Sequence, residues 1–407
     1  MPKLLKNSII LTLIILFILA FSDSLSSLSV DNLAYVLAIG IDTSDQNVME
    51  VTFEFSTNIA NSDSGSSGKA TPIINSVHSS SLSNAINLMN SYMGEQINMS
   101  HCKIIVFSEE FAYNGISDEV YTLINDTQVR PSSNIIVSKC DAKYYISQTE
   151  PELENLLSRY YEMLTNSSSH TGAYPDSTIG DFFHSLIYKT SQPYAILGGI
   201  NYTEKANDNL TNADKDSTIK SNQTLIQGEN GSENIGVAVF KEDTLVGELN
   251  YIETICFLSM KNDVSRFLIS VPDPVKEGNY LDIYLTPISS SNIKINTSTT
   301  SPYIHVKNNF SGKIYSMTED SKYLTPEVLN SISNSCNNYL QNAFSSFLYK
   351  TSQEFCSDIV GFGNYALINF STSKELDNYH WLDNYRHSFF DVKIDTSIES
   401  GMLITET

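Results

Sequence analysis

The sequence predicts a mixed α/β (α+β) fold in which mixed β-sheets are flanked by helices, spread over more than one hydrophobic core. Three observations carry that expectation. Apolar runs of strand length alternate along the chain with stretches of three- and four-residue apolar spacing, the pattern that layered sheet-and-helix architectures require. The hydrophobic fraction is 41%, with 23 Tyr and 19 Phe, enough to fill cores and to exclude a disordered chain. The length of 407 residues exceeds what one core usually serves, so two or three domains are expected.

At the N-terminus, Lys3 and Lys6 precede an apolar run from Ile9 to Phe21 that stops at Ser22, Asp23 and Ser24, the three-part layout of a secretory signal. The run is shorter than the roughly 20 residues that cross a bilayer, and it becomes an anchor only if Leu4 and Leu5 join it. Residues 1–24 are therefore expected to be a signal peptide or membrane anchor, and the rest to be exported. A buried N-terminal core helix is the weaker reading, because nothing downstream is amphipathic enough to cover it.

The net charge of -22, with four arginines (Arg130, Arg159, Arg266 and Arg386), leaves no basic footprint for phosphate backbones and argues against nucleic acid as a partner. Anionic lipid would also repel this chain, so membrane association must come from the N-terminal segment or from a protein partner. Cys102, Cys140, Cys256, Cys336 and Cys356 are odd in number and widely spaced in apolar surroundings. They read as small buried hydrophobes rather than as a disulfide framework, a zinc site or a redox pair.

In chain order, the continuous apolar run Leu33 to Asp42 and the alternating stretch Val48 to Phe55 predict a hairpin. Ser62 to Thr71 reads as a flexible surface loop. Ser81 to Met93 has helical spacing, Ile104 to Phe107 a short buried strand, Glu109 to Ile124 a helix interrupted at Asn114-Gly115, and Asn134 to Ser138 the next strand after Pro131. Pro151 opens a helix with Leu153, Leu156, Leu157, Tyr160, Tyr161 and Leu164 on one face, and a short helix over Asp181 to Ile187 completes the first domain, 25–200. Residues 201–234 are polar and read as a linker or surface excursion.

The middle region, 235–270, begins with a strand, a charged turn at Lys241-Glu242-Asp243 and a second strand, and continues as a short helix or strand over Ile252 to Met260. The C-terminal domain, 271–407, holds strand-like stretches at Tyr280 to Leu285, Asn292 to Asn296, Tyr303 to Val306 and Lys313 to Met317. Thr325 then caps a helix over 326–350, with Pro326 at its first position and apolar residues from Val328 to Leu348 repeating at three and four. That stripe is expected to pack across its own sheet. A final strand, Phe390 to Ile398, pairs into the same sheet.

Motifs for chemistry are missing. There is no G-x-S-x-G elbow, no H-E-x-x-H and no phosphate loop, and Gly361-Phe362-Gly363 lacks the third glycine of a dinucleotide fingerprint. No cofactor is expected. Paired carboxylates of a secreted glycosidase remain an alternative, because their separation is a property of the fold, and an exported solute-binding protein with a cleft between domains is another.

Six stretches in order, LAIGID at 37–42, SHCKIIVF at 100–107, VRPSSNIIVSK at 129–139, GVAVFKEDTLVGEL at 236–249, SDIVGFG at 357–363 and Trp381 before the closing strand, resemble the C subunit of bacterial spore germinant receptors, the Ger(x)C lipoproteins. The resemblance covers nearly the whole chain. It implies a three-domain α/β protein on the outer face of the spore inner membrane, non-enzymatic, working with two multi-spanning subunits of A and B type in the complex that senses nutrients and triggers germination. The family positions it marks are Gly40, Ile41, Asp42, His101, Lys103, Pro131, Gly236, Phe240, Lys241, Gly247, Glu253, Asp358, Gly361, Gly363 and Trp381, as structural or interaction residues without a catalytic role. His101 is expected to be a hydrogen-bonding histidine rather than a ligand or base. Relatives place a lipid-modified cysteine near the position of Ser24. A serine hydroxyl cannot form that thioether, so either the apolar run stays as an uncleaved anchor or it is cleaved near Ser22 and partner subunits hold the protein.

Overall fold

The computed structural model describes residues 12, 33–44, 48–56, 72–154, 156–201, 218–224, 226, 228–315 and 325–399. The signal or anchor segment apart from Thr12, Ser24, the loop at 62–71 and most of the polar excursion lie outside these residues.

A nine-stranded mixed sheet organises the first part of the chain. Its strands are β1 (Leu33–Ser44), β2 (Val48–Phe55), β3 (Ile73–Ser79), β4 (Gln96–Asn98), β5 (Ile104–Ser108), β6 (Asn134–Ser138), β7 (Tyr194–Ile200), β8 (Ser232–Lys241) and β9 (Thr244–Leu249). They lie in the order β3-β2-β1-β5-β6-β7-β8-β9, with β4 alongside β1. The centre, β1-β5-β6-β7, is parallel and both flanks are antiparallel. Parallel strands need crossovers, and the helices that supply them cover both faces, which explains why the central strands are unbroken apolar runs.

On one face pack α1 (Leu82–Met93), α2 (Glu109–Ala112), α3 (Ser117–Asn125) and α6 (Ile179–Ile187). On the other lie α4 (Ala142–Ser147) and α5 (Leu157–Thr171). Ser81 and Thr178 cap their helices by accepting the amide three residues on, as short hydroxyl side chains do.

The second sheet comprises β10 (Phe267–Pro272), β11 (Tyr280–Pro287), β12 (Asn292–Asn296), β13 (Tyr303–Ile314) and β14 (Phe389–Glu399). It is antiparallel apart from the closing strand, which runs parallel to β13 from Tyr303↔Phe389 to Lys313↔Glu399. Helix α8 (Pro326–Tyr349) lies across it, burying Ile332, Cys336, Leu340, Phe344, Phe347 and Leu348. Burial of each large apolar side chain is worth about 1.5–3 kcal/mol, so this stripe is what fixes the helix to the sheet. Between the two sheets runs α7 (Tyr251–Lys261), buried at Ile252 and from Thr254 to Met260. Its core joins Val237, Val239 and Leu249 of the first sheet to the second body.

Several local expectations change. The segment after Pro151 is not helical until Leu157, and Leu153 is fully exposed. The chain just before Pro151 is tied to residues 230–231 instead: Gly231 donates to the Gln148 carbonyl (2.9 Å), and Asn230 accepts from the Glu150 amide (3.1 Å). The stretches at Tyr303 and Lys313 are one strand, because Asn308, Phe310 and Gly312 all turn inward where composition suggested a break. Cys102, Cys256 and Cys336 are buried, while Cys140 and Cys356 are half-buried, and all five are free thiols.

Candidate functional site

Family-marked residues from distant parts of the chain meet where the second body joins the first sheet. Asp358 is fully buried, and its carboxylate accepts from the amides of Gly361 (2.9 Å), Phe362 (3.0 Å) and Gly363 (2.9 Å) and from the Trp381 indole N–H (2.8 Å). These three amides open a short helix, α9 (Phe362–Ala366), so one side chain satisfies donors that a helix start leaves without partners. Burial pushes the Asp358 carboxyl up to about 6 while the four N–H donors pull it back down.

Geometry at this node depends on glycine. Gly361 has φ +79°, a left-handed conformation that a side chain disfavours. A Cβ on Gly363 would stand 2.8 Å from Thr190 Cα and 2.8 Å from Trp381 Cδ1, and would also press on the Thr190 carbonyl oxygen. The turn is thereby seated directly on the chain entering β7. Neighbouring bonds make the same connection. The Gln192 amide donates to the Asp358 carbonyl (2.9 Å), Ser357 Oγ donates to the Phe240 carbonyl (2.5 Å), and the Gln192 side-chain oxygen accepts from the Glu242 amide. Phe240 itself is buried edge-on against Phe182, 4.9 Å between ring centres.

A second seam lies beside it. Helix α8 ends in a π-helical turn, Lys350–Glu354. Lys350 Nζ reaches both Glu253 oxygens (2.8 Å each) and the Glu248 carbonyl (3.1 Å), and lies over the Phe355 ring at 5.3 Å. Glu253 also accepts from the Asn250 amide (2.8 Å) and Asn250 from the Glu253 amide (3.0 Å), a capping box that starts α7. The Phe355 ring covers Gly247 of β9, in the space a side chain there would fill. Substituting Lys350 by methionine keeps the stem and removes the charge, and it is expected to lower stability by about 1–2 kcal/mol in denaturant titration. Unchanged stability would show that the ion pair holds nothing.

Other marked positions stand apart. Gly40 lies under α4, close to Ile146 and Ala142. Asp42 accepts from the amides of Ala142 (2.6 Å) and Lys143 (3.0 Å), and burial raises its carboxyl against those donors. Strand β1 thus caps the start of α4. Gly236 sits at φ +109° beside the Leu249 carbonyl.

His101 is exposed and meets the Tyr35 ring edge-on at 4.8 Å. Lys103 pairs with Glu162 (2.5 Å), the Pro131 carbonyl accepts from the Gly180 amide (2.9 Å), and Lys241 is exposed at the end of β8. Among the described residues no group of His, Cys, Asp and Glu is placed to hold a metal ion.

Sequence reasoning missed Lys350, Phe355, Thr190 and Gln192, whose roles exist only through long-range contact. It also missed Glu54. This residue of β2 is fully buried beneath α5, where Oε2 accepts from the Tyr161 hydroxyl (2.8 Å) and Oε1 has no partner among the described residues. Burial pushes its carboxyl up to about 8, the Tyr161 hydrogen bond only partly opposing.

Comparison with known proteins gives matches over most of the chain. A family model described as spore germination protein N-terminal domain matches residues 26–200, and one described as spore germination B3/GerAC like, C-terminal, matches residues 235–402. A putative spore germination protein YfkR from Bacillus subtilis (strain 168) is 20% identical over 347 residues, 84% of this chain and 82% of that protein. The crystal structure of the GerBC protein aligns with a TM-score of 0.51 at 14% identity, over 88% of this chain and 96% of that one, a likeness of fold.

Proposed function

We propose, from the premise that this chain belongs to the GerAC-like family of spore germination proteins, that it is the non-enzymatic C subunit of a nutrient germinant receptor, triggering germination through contacts with two membrane-embedded subunits of A and B type. It acts at the outer face of the spore inner membrane, exported and then held there by its N-terminal segment or by those partners. The three domains suggested by the sequence, with a middle region at 235–270, work in this reading as one folded surface.

The observation that carries the non-enzymatic part is the use made of the marked carboxylates. Asp42 and Asp358 point into backbone amides, and Glu253 is divided between a helix cap and Lys350. A carboxylate so engaged is fixed as an acceptor and is not free to shuttle a proton or attack a substrate. Purification of the tagged chain from detergent-solubilised spore membranes is expected to recover two multi-spanning proteins. Recovery as a free soluble monomer, together with normal germination of a deletion strain, would contradict the proposal.

A further inference from the structure

Among the described residues six strands border the two sheets, and every longer edge but one carries either a side-chain bond to its backbone or a row of charges. The outer side of β9 is met by Lys350 Nζ at the Glu248 carbonyl (3.1 Å), that of β10 by Ser335 at the Pro272 carbonyl (3.1 Å), and that of β12 by Asn369 at the Ile295 carbonyl (3.0 Å). Strand β14 shows Asp391, Lys393, Asp395 and Glu399 at its exposed positions, charges that discourage strand pairing. The short β4 is three residues long.

Strand β3 differs. It pairs with β2 through all seven residues, from Met49↔Ser79 to Phe55↔Ile73, and among the described residues its other edge pairs with nothing. Neither Ile73–Ser79 nor the neighbouring helix α1 contains a single Asp, Glu, Lys or Arg, in a chain of net charge -22. Ile73, Leu88 and Tyr92 are exposed there, Tyr92 by 75%. A groove of about 360 Å³ runs between strand and helix, lined by Asn75, Ser76, Val77, Leu88, Met89 and Tyr92.

An open ladder of amides and carbonyls calls for an extended backbone, and a groove on one side of it calls for alternate side chains that fill it. The absence of charge specifies an uncharged segment. A second copy of this chain is disfavoured for a separate reason, because two molecules of net charge -22 repel each other as wholes. We propose that β3 is a strand-addition site that takes an extended, uncharged segment of a partner protein, with its alternate apolar side chains entering the groove against Leu88 and Tyr92.

The inference rests on the chain having a protein partner in spore membranes. Its test places the photo-crosslinker p-benzoylphenylalanine at Tyr92 of the full chain in spores, with Tyr315 and Ile368 on the second body as comparison positions. The expected product joins position 92 to an uncharged stretch of one membrane partner, and Leu88→Lys, a change at an exposed position, reduces its yield about tenfold or more at equal recovery of the chain. A product at position 92 formed with a second copy of this chain, with residues 57–71 of the same chain, or with a charged segment overturns the inference. So does a yield unaffected by Leu88→Lys, or partner products from Tyr315 and Ile368 alone. Absence of products from all three positions overturns the inference, while co-purification from solubilised spore membranes decides the receptor reading separately.

Discussion

Replacing Asp358 with alanine is expected to lower the unfolding free energy by about 3–5 kcal/mol, the largest loss at any marked position. The substitution strands three backbone amides and the Trp381 indole N–H in a site closed to solvent, and each unmet donor costs on the order of 1–3 kcal/mol. Gly363→Ala should act through the same node for a different reason. Its methyl meets the backbone of Thr190, which cannot move without shifting the entry to β7. The single tryptophan supplies the readout, since Trp381 is itself buried in the node. Its emission should shift to the red and its denaturant midpoint should fall in both variants. A change below about 1 kcal/mol for Asp358→Ala would mean that the four bonds do not hold the node together.

Glu54→Gln is expected to remove most of a pH dependence. The carboxyl holds its proton up to about 8 when folded, against an ordinary value of 4.5. Between those values the folded chain binds a proton that the unfolded chain has released, so stability falls as pH rises. The contribution is fully present below the lower value and is lost through the upper one, at about 1.4 kcal/mol per pH unit. Asp358, raised in the same sense to about 6, adds its slope only below that pH. The stretch from about pH 6 to pH 8 therefore reports Glu54 most directly. Titrations of both proteins should show the glutamine variant gaining on the wild type by about 1.4 kcal/mol for each unit in that window. A constant difference would show that Glu54 is ionised in the fold.

How far the sequence discloses this molecule depends on the range of the interaction concerned. Helix α8 was legible because Thr325, Pro326 and a three-and-four apolar repeat are local signals, and the parallel strands β5 and β6 because double burial leaves an uninterrupted apolar run. Strand β13 was read as two pieces since Asn308 and Gly312 carry no strand signal of their own. Their inward positions are set by Ser291, which Asn308 meets at 2.5 Å, and by the packing of Ile398 and Leu285. The marked residues were identified singly through a family likeness, but nothing in their spacing showed that Asp358, Gly361, Gly363 and Trp381 share one site while Gly40 and Asp42 dock a helix elsewhere. Glu54 looks like any polar residue of an alternating strand. Only Tyr161, donated by a helix more than a hundred positions later, reveals the buried acid.

If the marked carboxylates only hold the fold and perform no chemistry, spores carrying Asp42→Asn, Glu253→Gln or Asp358→Asn will show it most directly, with germination rate measured per amount of folded chain recovered in the membrane fraction. The response is expected to fall only as the recovered chain falls, with the rate per chain unchanged. A variant recovered at the wild-type level that no longer responds to nutrient would contradict this and give that carboxylate a role beyond holding the fold.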